Sequence, residues 1–286
     1  MITEEAYAKI NLSLDVVGKR PDGYHDVKMI MQTIDLHDTL TFEEADEGIF
    51  LFTDSDELNA ESDSGKDNLI VKAAKAVFAR MGEEKGVKIT LTKRIPIAAG
   101  MAGGSTDAAA ALRGINRLFE YGLSDMELEE IGVSIGADVP FCVTGGTRLS
   151  EGIGEILTPL PTPDKTSLVI CKPPVNISTK DVYERFDALE ESDHPDVDAM
   201  VRALLEGEYE KIPDLCGNSL EKVTKGLYPR IGEIEKFFED NGAIRAIMTG
   251  SGPTVFAIVE DADRERLEKL AKDRFPDCYV KGHFYG

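Results

Sequence analysis

Residues 86–115 read as a strand, a glycine-rich loop and a helix in direct succession: GVKITLTKRIP, then IAAGMAGGSTDAAAALRGI. Gly100, Gly103 and Gly104 let the backbone approach a ligand closely and adopt conformations that a Cβ forbids. A helix beginning near Ser105 presents free N–H groups and the positive end of its dipole, a combination that favours a phosphate. The stretch lacks the Gly-Lys-Ser/Thr ending of a Walker A loop, so its positive charge must come from elsewhere. Ser105 and Thr106 carry hydroxyls able to cap the helix or to ligate the Mg²⁺ that accompanies a nucleotide. Asp107 reads as a first-turn acid favoured by the dipole, and the four alanines after it keep the helix narrow. Taken alone, the loop is equally a tight strand-to-helix connection with a Ser cap.

Composition narrows the ligand. Thirty-two Lys and Arg stand against 53 Asp and Glu, and the net charge of −21 opposes any general affinity for nucleic acid or an anionic membrane. A phosphorylated ligand therefore needs locally placed cations, backbone N–H groups or a metal ion. The 286 residues, 42% apolar, suffice for a full core. Cys142, Cys171, Cys216 and Cys278 form no C-x-x-C pair, so reduced thiols in the cytoplasm are expected. No apolar run is long enough to span a bilayer, and a strand pattern already under way by Ala6 is read as leaving no room for a signal peptide.

In AYAKINLSLDV, Ala6, Ala8, Ile10, Leu12, Leu14 and Val16 alternate with polar residues, which predicts a strand with one buried face. Lys9 and Asn11 then share the other face, where a solvated lysine is the ordinary outcome. GKRPDGYHD follows as a turn that carries Tyr24 and His25 out of the sheet, and VKMIMQTIDL reads as the next strand. Residues 41–67 hold ten acidic residues and one Lys around the apolar run IFLF, and read as a solvated hairpin. DNLIVKAAKAVFARMG predicts a helix capped by Asp67 or Asn68 and closed by Gly82. Leu112, Ile115 and Phe119 mark the buried face of the helix after the loop, and SDMELEEIGVSIG makes another, capped by Ser124 or Asp125.

TPLPTPDKT is the richest proline stretch and the expected boundary between domains 1–160 and 161–286. Beyond it, SLVICKPP is a strand and residues 180–240 are mostly helical. The end alternates: helix IGEIEKFFEDN, strand IRAIM, turn TGSGPT, strand VFAIV, helix DRERLEKLAKDRF, strand CYVKGHF. The class is α+β. Asp138, after Gly136 at a helix end, is the remaining candidate, and by itself reads as a turn-stabilising Asp.

Together, AKINLSLDVVGKRPDGYHD, PIAAGMAGGSTDAA, GADVPF and MTGSGPTVFA resemble, in this order, the motifs of the GHMP kinase superfamily. The resemblance covers nearly the whole chain. It implies an N-terminal domain similar to ribosomal protein S5 domain 2 and a ferredoxin-like C-terminal domain, with ATP and acceptor meeting between them. It makes Asp138 the catalytic base and Lys9 its charged partner. Pro96, Ala99, Gly100, Met101, Ala102, Gly103, Gly104, Ser105, Thr106 and Asn68 would hold ATP, with Ser105 a ligand of Mg²⁺. Asn11 and the turn residues Gly250, Ser251 and Gly252 would face the acceptor. Tyr24 and Tyr183 offer rings to sandwich a cytosine, and His25 and neighbouring backbone can hydrogen-bond its edge. A relative acting on homoserine or mevalonate is the alternative, but would leave the Gly23-Tyr24-His25 turn no base to recognise. The expected partners are small molecules, the chain acting as a monomer or weak homodimer. Met101, Thr106 and Tyr7 depart from the superfamily's commonest Leu, Ser and Pro, and remove no proposed catalytic group.

Overall fold

The computed structural model describes residues 1–55, 68–163 and 165–285. It contains two compact units, each assembled from several segments: Met1–Ala8, Leu36–Ile95 and Ala102–Gly145 in the first, and Lys9–Asp35, Pro96–Met101 and Gly146–Gly286 in the second. Two long strands, β1 (Ile2–Lys19) and β2 (His25–Ala45), contribute residues to both.

In the first unit, β3 (Ile49–Thr53) is followed by α1 (Leu69–Met81), β4 (Gly86–Thr92), α2 (Gly103–Leu118), α3 (Asp125–Val133) and α4 (Val139–Thr144). β4 pairs antiparallel with Thr39–Ala45 of β2 and parallel with β3. The expected hairpin is therefore corrected: β3 does not fold back on β2, because β4 takes the place between them. Residues 56–67 of that acidic stretch, and Asp67 as a cap, lie outside the described residues. Asn68 caps α1, its Oδ1 accepting from Ile70 N at 2.9 Å, and Gly82 closes it in the left-handed region at φ 67°. α3 opens with a reciprocal capping box between Ser124 and Glu127. α2 packs against α1 and α4, with Ala108–Ala111, Leu112 and Ile115 fully buried. A Cβ on Gly114 would collide with the Phe42 ring, so only glycine lets the helix lie this close to β2.

In the second unit, Met29–Gln32 of β2 pairs antiparallel with β5 (Thr147–Glu151), and β5 with β6 (Ile156–Leu160). Part of the proline-rich stretch is thus strand. Pro159 is tolerated because β6 pairs on one side only. There follow β7 (Thr166–Lys172), α5 (Thr179–Phe186), α6 (Val197–Glu206), α7 (Ile212–Leu215), β8 (Gly217–Asn218), α8 (Glu221–Leu227), α9 (Arg230–Asp240), β9 (Arg245–Met248), β10 (Val255–Val259), α10 (Arg264–Arg274) and β11 (Tyr279–Tyr285). Ser13 and Leu14 of β1 pair parallel with β8. A separate antiparallel sheet has the order β11-β7-β10-β9, the ferredoxin-like arrangement, and its central residues Leu168–Cys171 and Val255–Ala257 are fully buried.

One strand departs from its pattern. Ala8–Leu14 of β1 is buried on both faces, with Lys9 only 5% exposed, Asn11 2% and Ser13 0%. Lys9 is not a solvated lysine. Alternation reports polarity, and here Lys9 and Asn11 are buried because they bond to each other and Asn11 to Met29 and Thr249, whereas the Ser13 hydroxyl is buried without a partner.

Candidate active site

In the first unit, α2 begins at Gly103, two residues earlier than expected. Ala102 is its N-cap in the left-handed region at φ 59°, and Thr106 N donates to Ala102 O at 2.8 Å. Two glycines without side chains can form the first turn, so the N–H groups of Gly103, Gly104 and Ser105 precede any intrahelical acceptor. Neither hydroxyl caps the helix. Thr106 Oγ1 instead donates to Tyr7 O at 2.5 Å, which commits the proton of this hydroxyl to β1. The half-buried Ser105 hydroxyl makes no hydrogen bond among the described residues. A Cβ on Gly136 would lie 3.9 Å from Ser105 Oγ, so the chain just before α4 passes beside this helix end. Asp138 is the N-cap residue of α4, but its side chain does not cap the helix.

Asp107 is corrected as well. It is the fifth residue of α2 rather than an acid of the first turn, and only 3% exposed. Lys93, one residue beyond β4, donates from Nζ to Asp107 Oδ2 at 2.8 Å and also pairs with buried Asp38. Asp38 further accepts from Ile95 N at 2.8 Å, so the triad secures the turn that leads into the glycine loop. A Cβ on Gly103 would stand 3.2 Å from Lys93 Nζ, which puts a cation at the start of α2. Burial pushes the Asp107 carboxyl up to about 8, with Lys93 opposing the rise. Burial works against the Lys93 charge, yet Asp107 and Asp38 outweigh it and raise its affinity for the proton. Sequence reasoning missed Lys93 because a lysine beyond a strand end has no periodic signal; its proximity to the loop was the only hint.

The second unit gathers the other candidates. Lys9 N donates to Met101 O at 3.3 Å, and Lys9 Nζ donates to Asn11 Oδ1 at 2.7 Å. Asn11 N in turn donates to Thr249 Oγ1 at 2.9 Å. The loop reaches the same turn: Gly100 has φ 71°, and a Cβ there would fall 2.8 Å from Gly252 O and 2.9 Å from Thr249 O. Ala98 also has positive φ, at 50°, a strain that only a constrained loop sustains. Ala99 and Met101 are buried and Pro96 half-buried. Asn218, not singled out in the sequence, donates through Nδ2 to Met248 O at 2.9 Å and Gly250 O at 2.8 Å. Ser251 Oγ lies 2.9 Å from Thr179 Oγ1.

Tyr24 is 62% exposed, as expected of the turn. His25 is not: its side chain is 8% exposed, its ring lies 4.8 Å from that of Tyr183 at 36°, and Nε2 is 2.7 Å from Asp187 Oδ1. The pair is split because the strand β2 begins at His25 and turns its ring toward α5.

In the first unit the glycine-led start of α2, with Lys93 beside it, is suited to hold a phosphate; in the second, Lys9 and Asn11 share a strand and Gly100 lies against the turn of Thr249–Gly252. The family model for the GHMP kinases N terminal domain matches residues 68–146, and that for GHMP kinases C terminal matches residues 200–277. The chain belongs to the GHMP kinase family. It is 48% identical, over 91% of its own length and 89% of the relative's, to 4-diphosphocytidyl-2-C-methyl-D-erythritol kinase of Geobacillus kaustophilus. The kinase of the same name from Caldicellulosiruptor saccharolyticus is also 48% identical, over 89% of this chain and 87% of that one. A crystal structure of 4-(cytidine 5'-diphospho)-2C-methyl-D-erythritol kinase aligns over 100% of both chains with a TM-score of 0.82 and 30% identity.

Proposed function

We propose that this chain transfers the γ-phosphoryl group of ATP to the 2-hydroxyl of 4-diphosphocytidyl-2-C-methyl-D-erythritol, giving ADP and the 2-phosphate in the non-mevalonate route to isoprenoid precursors. The 46–48% identity to kinases of that name over about nine-tenths of the chain carries the reading. Phosphoryl transfer depends on in-line positioning and on neutralising charge. The amides at the start of α2 take up phosphate oxygens. Asp138 accepts the proton of the tertiary alcohol, and Lys9 supplies positive charge to the transferred group.

Asn68, Pro96 and the loop residues Ala99–Thr106 hold the nucleotide, while Asn11, Tyr24, His25, Tyr183 and Gly250–Gly252 serve the acceptor. Ser105, with its hydroxyl unengaged at the helix start, fits Mg²⁺, which binds through few protein ligands and the nucleotide's own oxygens. The ion, when bound, neutralises charge on the phosphates. Among the described residues no group of three or more His, Cys, Asp or Glu is arranged to hold a metal by itself.

The same reading includes a division near residue 160, supported by family-model matches that fall on either side of it. It also includes a cytoplasmic monomer or weak homodimer; the four cysteines are free thiols, and no described helix is long and apolar enough to cross a membrane.

An ADP-release assay offering the cytidylyl acceptor, mevalonate and homoserine in parallel tests the proposal. ADP release with the cytidylyl compound alone is expected. Comparable kcat/KM on mevalonate or homoserine overturns it.

A further inference from the structure

His25 and Asp187 belong to elements far apart in sequence, yet the His25 Nε2 to Asp187 Oδ1 distance is 2.7 Å. Asp187 is the C-cap of α5, directly after the helix that carries Tyr183. A carboxylate at a helix C-terminus opposes the helix dipole, so this position ordinarily suits a cation. Here Lys19 Nζ at 2.6 Å from Oδ2 and the His25 ring compensate it. Burial resists the charge on Asp187, but hydrogen bonds from Lys19 and His25 outweigh that and hold its carboxyl below the ordinary range.

An ionised carboxylate can only accept hydrogen bonds, so the proton of a neutral His25 ring must sit on Nε2. Nδ1 then carries a lone pair. It has no hydrogen-bond partner among the described residues. The imidazole packs at 4.8 Å from the Tyr183 ring, and exposed Tyr24 is the adjoining residue. An aromatic ring and an unpartnered acceptor nitrogen suit a flat heterocycle that presents an amino group.

We infer that Asp187 is a positioning residue for substrate selection: by fixing the tautomer of His25 it presents Nδ1 as an acceptor, which favours an aminopyrimidine such as cytosine over the oxo-pyrimidine uracil. The inference rests on the substrate reading above and adds a cause for base choice. Cytosine offers N–H at its exocyclic amino group; uracil offers a carbonyl oxygen there, and two lone pairs would face each other. Leaving such groups unpaired away from water costs about tenfold to hundredfold in affinity.

The test combines two readouts on the intact chain. Nitrogen-15 NMR of labelled histidine, with the His25 signal assigned by loss in His25→Gln, reads the tautomer at a pH where the ring is neutral. Steady-state kcat/KM on the cytidylyl acceptor and its uridylyl analogue reads the choice. The wild type is expected to show the Nε2–H form and to prefer the cytidylyl compound. Asp187→Asn, which can donate from its amide, is expected to admit the Nδ1–H form and to lower the cytidylyl-to-uridylyl ratio about tenfold to hundredfold. Asp187→Glu should restore the ratio. An Nδ1–H tautomer in the wild type, or an unchanged ratio in a folded Asp187→Asn variant, overturns the inference. Failure of the wild type to phosphorylate the cytidylyl acceptor overturns the substrate reading and with it the selectivity; the NMR signal still decides the tautomer.

Discussion

Lys93 Nζ lies 2.8 Å from Asp107 Oδ2 while the other oxygen of that carboxylate, Oδ1, is buried without a hydrogen-bond partner. With Asp38 also paired to Lys93, two carboxylates share one ammonium, and a proton on Asp107 balances the charge. The folded carboxyl titrates at about 8 against an ordinary 3.8, so between these values the folded state retains a proton that the unfolded chain has released. Stability contributed through Asp107 therefore falls as pH rises from about 4 to about 8 and levels off above it. Melting temperatures from pH 5 to pH 9 should fall more steeply for the wild type than for Asp107→Asn. Parallel curves would remove Asp107 as the titrating group.

Removing the cation is a harsher change. Lys93→Met leaves Asp38 and Asp107 buried together, and breaking a buried ion pair from one side costs about 3–5 kcal/mol. Urea unfolding should show a midpoint lowered accordingly. A loss below about 1 kcal/mol would place these carboxylates in contact with water.

Asp138→Asn removes the proposed base but leaves the helix start of α2 unchanged. Turnover should fall by about 10²-fold to 10⁴-fold, with ATP binding by calorimetry near the wild-type value. Lys9→Ala should also lower kcat more than it raises the KM for ATP. If it weakens ATP binding alone, Lys9 anchors the nucleotide and plays no part in the transition state.

Gly100→Ala would place a methyl group against the carbonyls of Thr249 and Gly252 at a φ that L-residues avoid. The backbone penalty alone is about 1–2 kcal/mol. Reduced thermal stability together with weaker ATP binding is expected, and full retention of both would detach the loop from its glycine turn.

Tyr24→Ala tests the exposed ring. Stacking on a base is worth roughly 1–3 kcal/mol, so the KM for the cytidylyl acceptor should rise by about one order of magnitude or more, with kcat changing less. An unaltered KM would leave Tyr24 outside the acceptor site.

Most elements were legible because their signals are local: Asn68 and Gly82 bracket α1, and the Ser124–Glu127 box opens α3. The partner of β3 was not, since pairing with β4 rather than β2 depends on a strand more than thirty residues later. Candidate site residues were singled out where glycine, an aromatic pair or a motif marked them. Lys93, Asp38, Asp187 and Asn218 were not, because their roles arise from contacts that only the folded chain creates. The same cause hid the burial of Lys9, whose neighbours Asn11 and Met101 are themselves held by tertiary bonds.

The bond from Asn11 N to Thr249 Oγ1 joins residues 238 positions apart, and Gly100 rests on carbonyls of the same late turn. On the ribosome, the first strand and the glycine loop are therefore synthesised long before the turn that braces them. Domains generally fold as units as they emerge during synthesis, but this bracing waits for a turn 238 residues after Asn11. A nascent chain that has not yet emerged as far as Thr249 lacks the support for its own loop, so the arrangement forms only after that turn has been made.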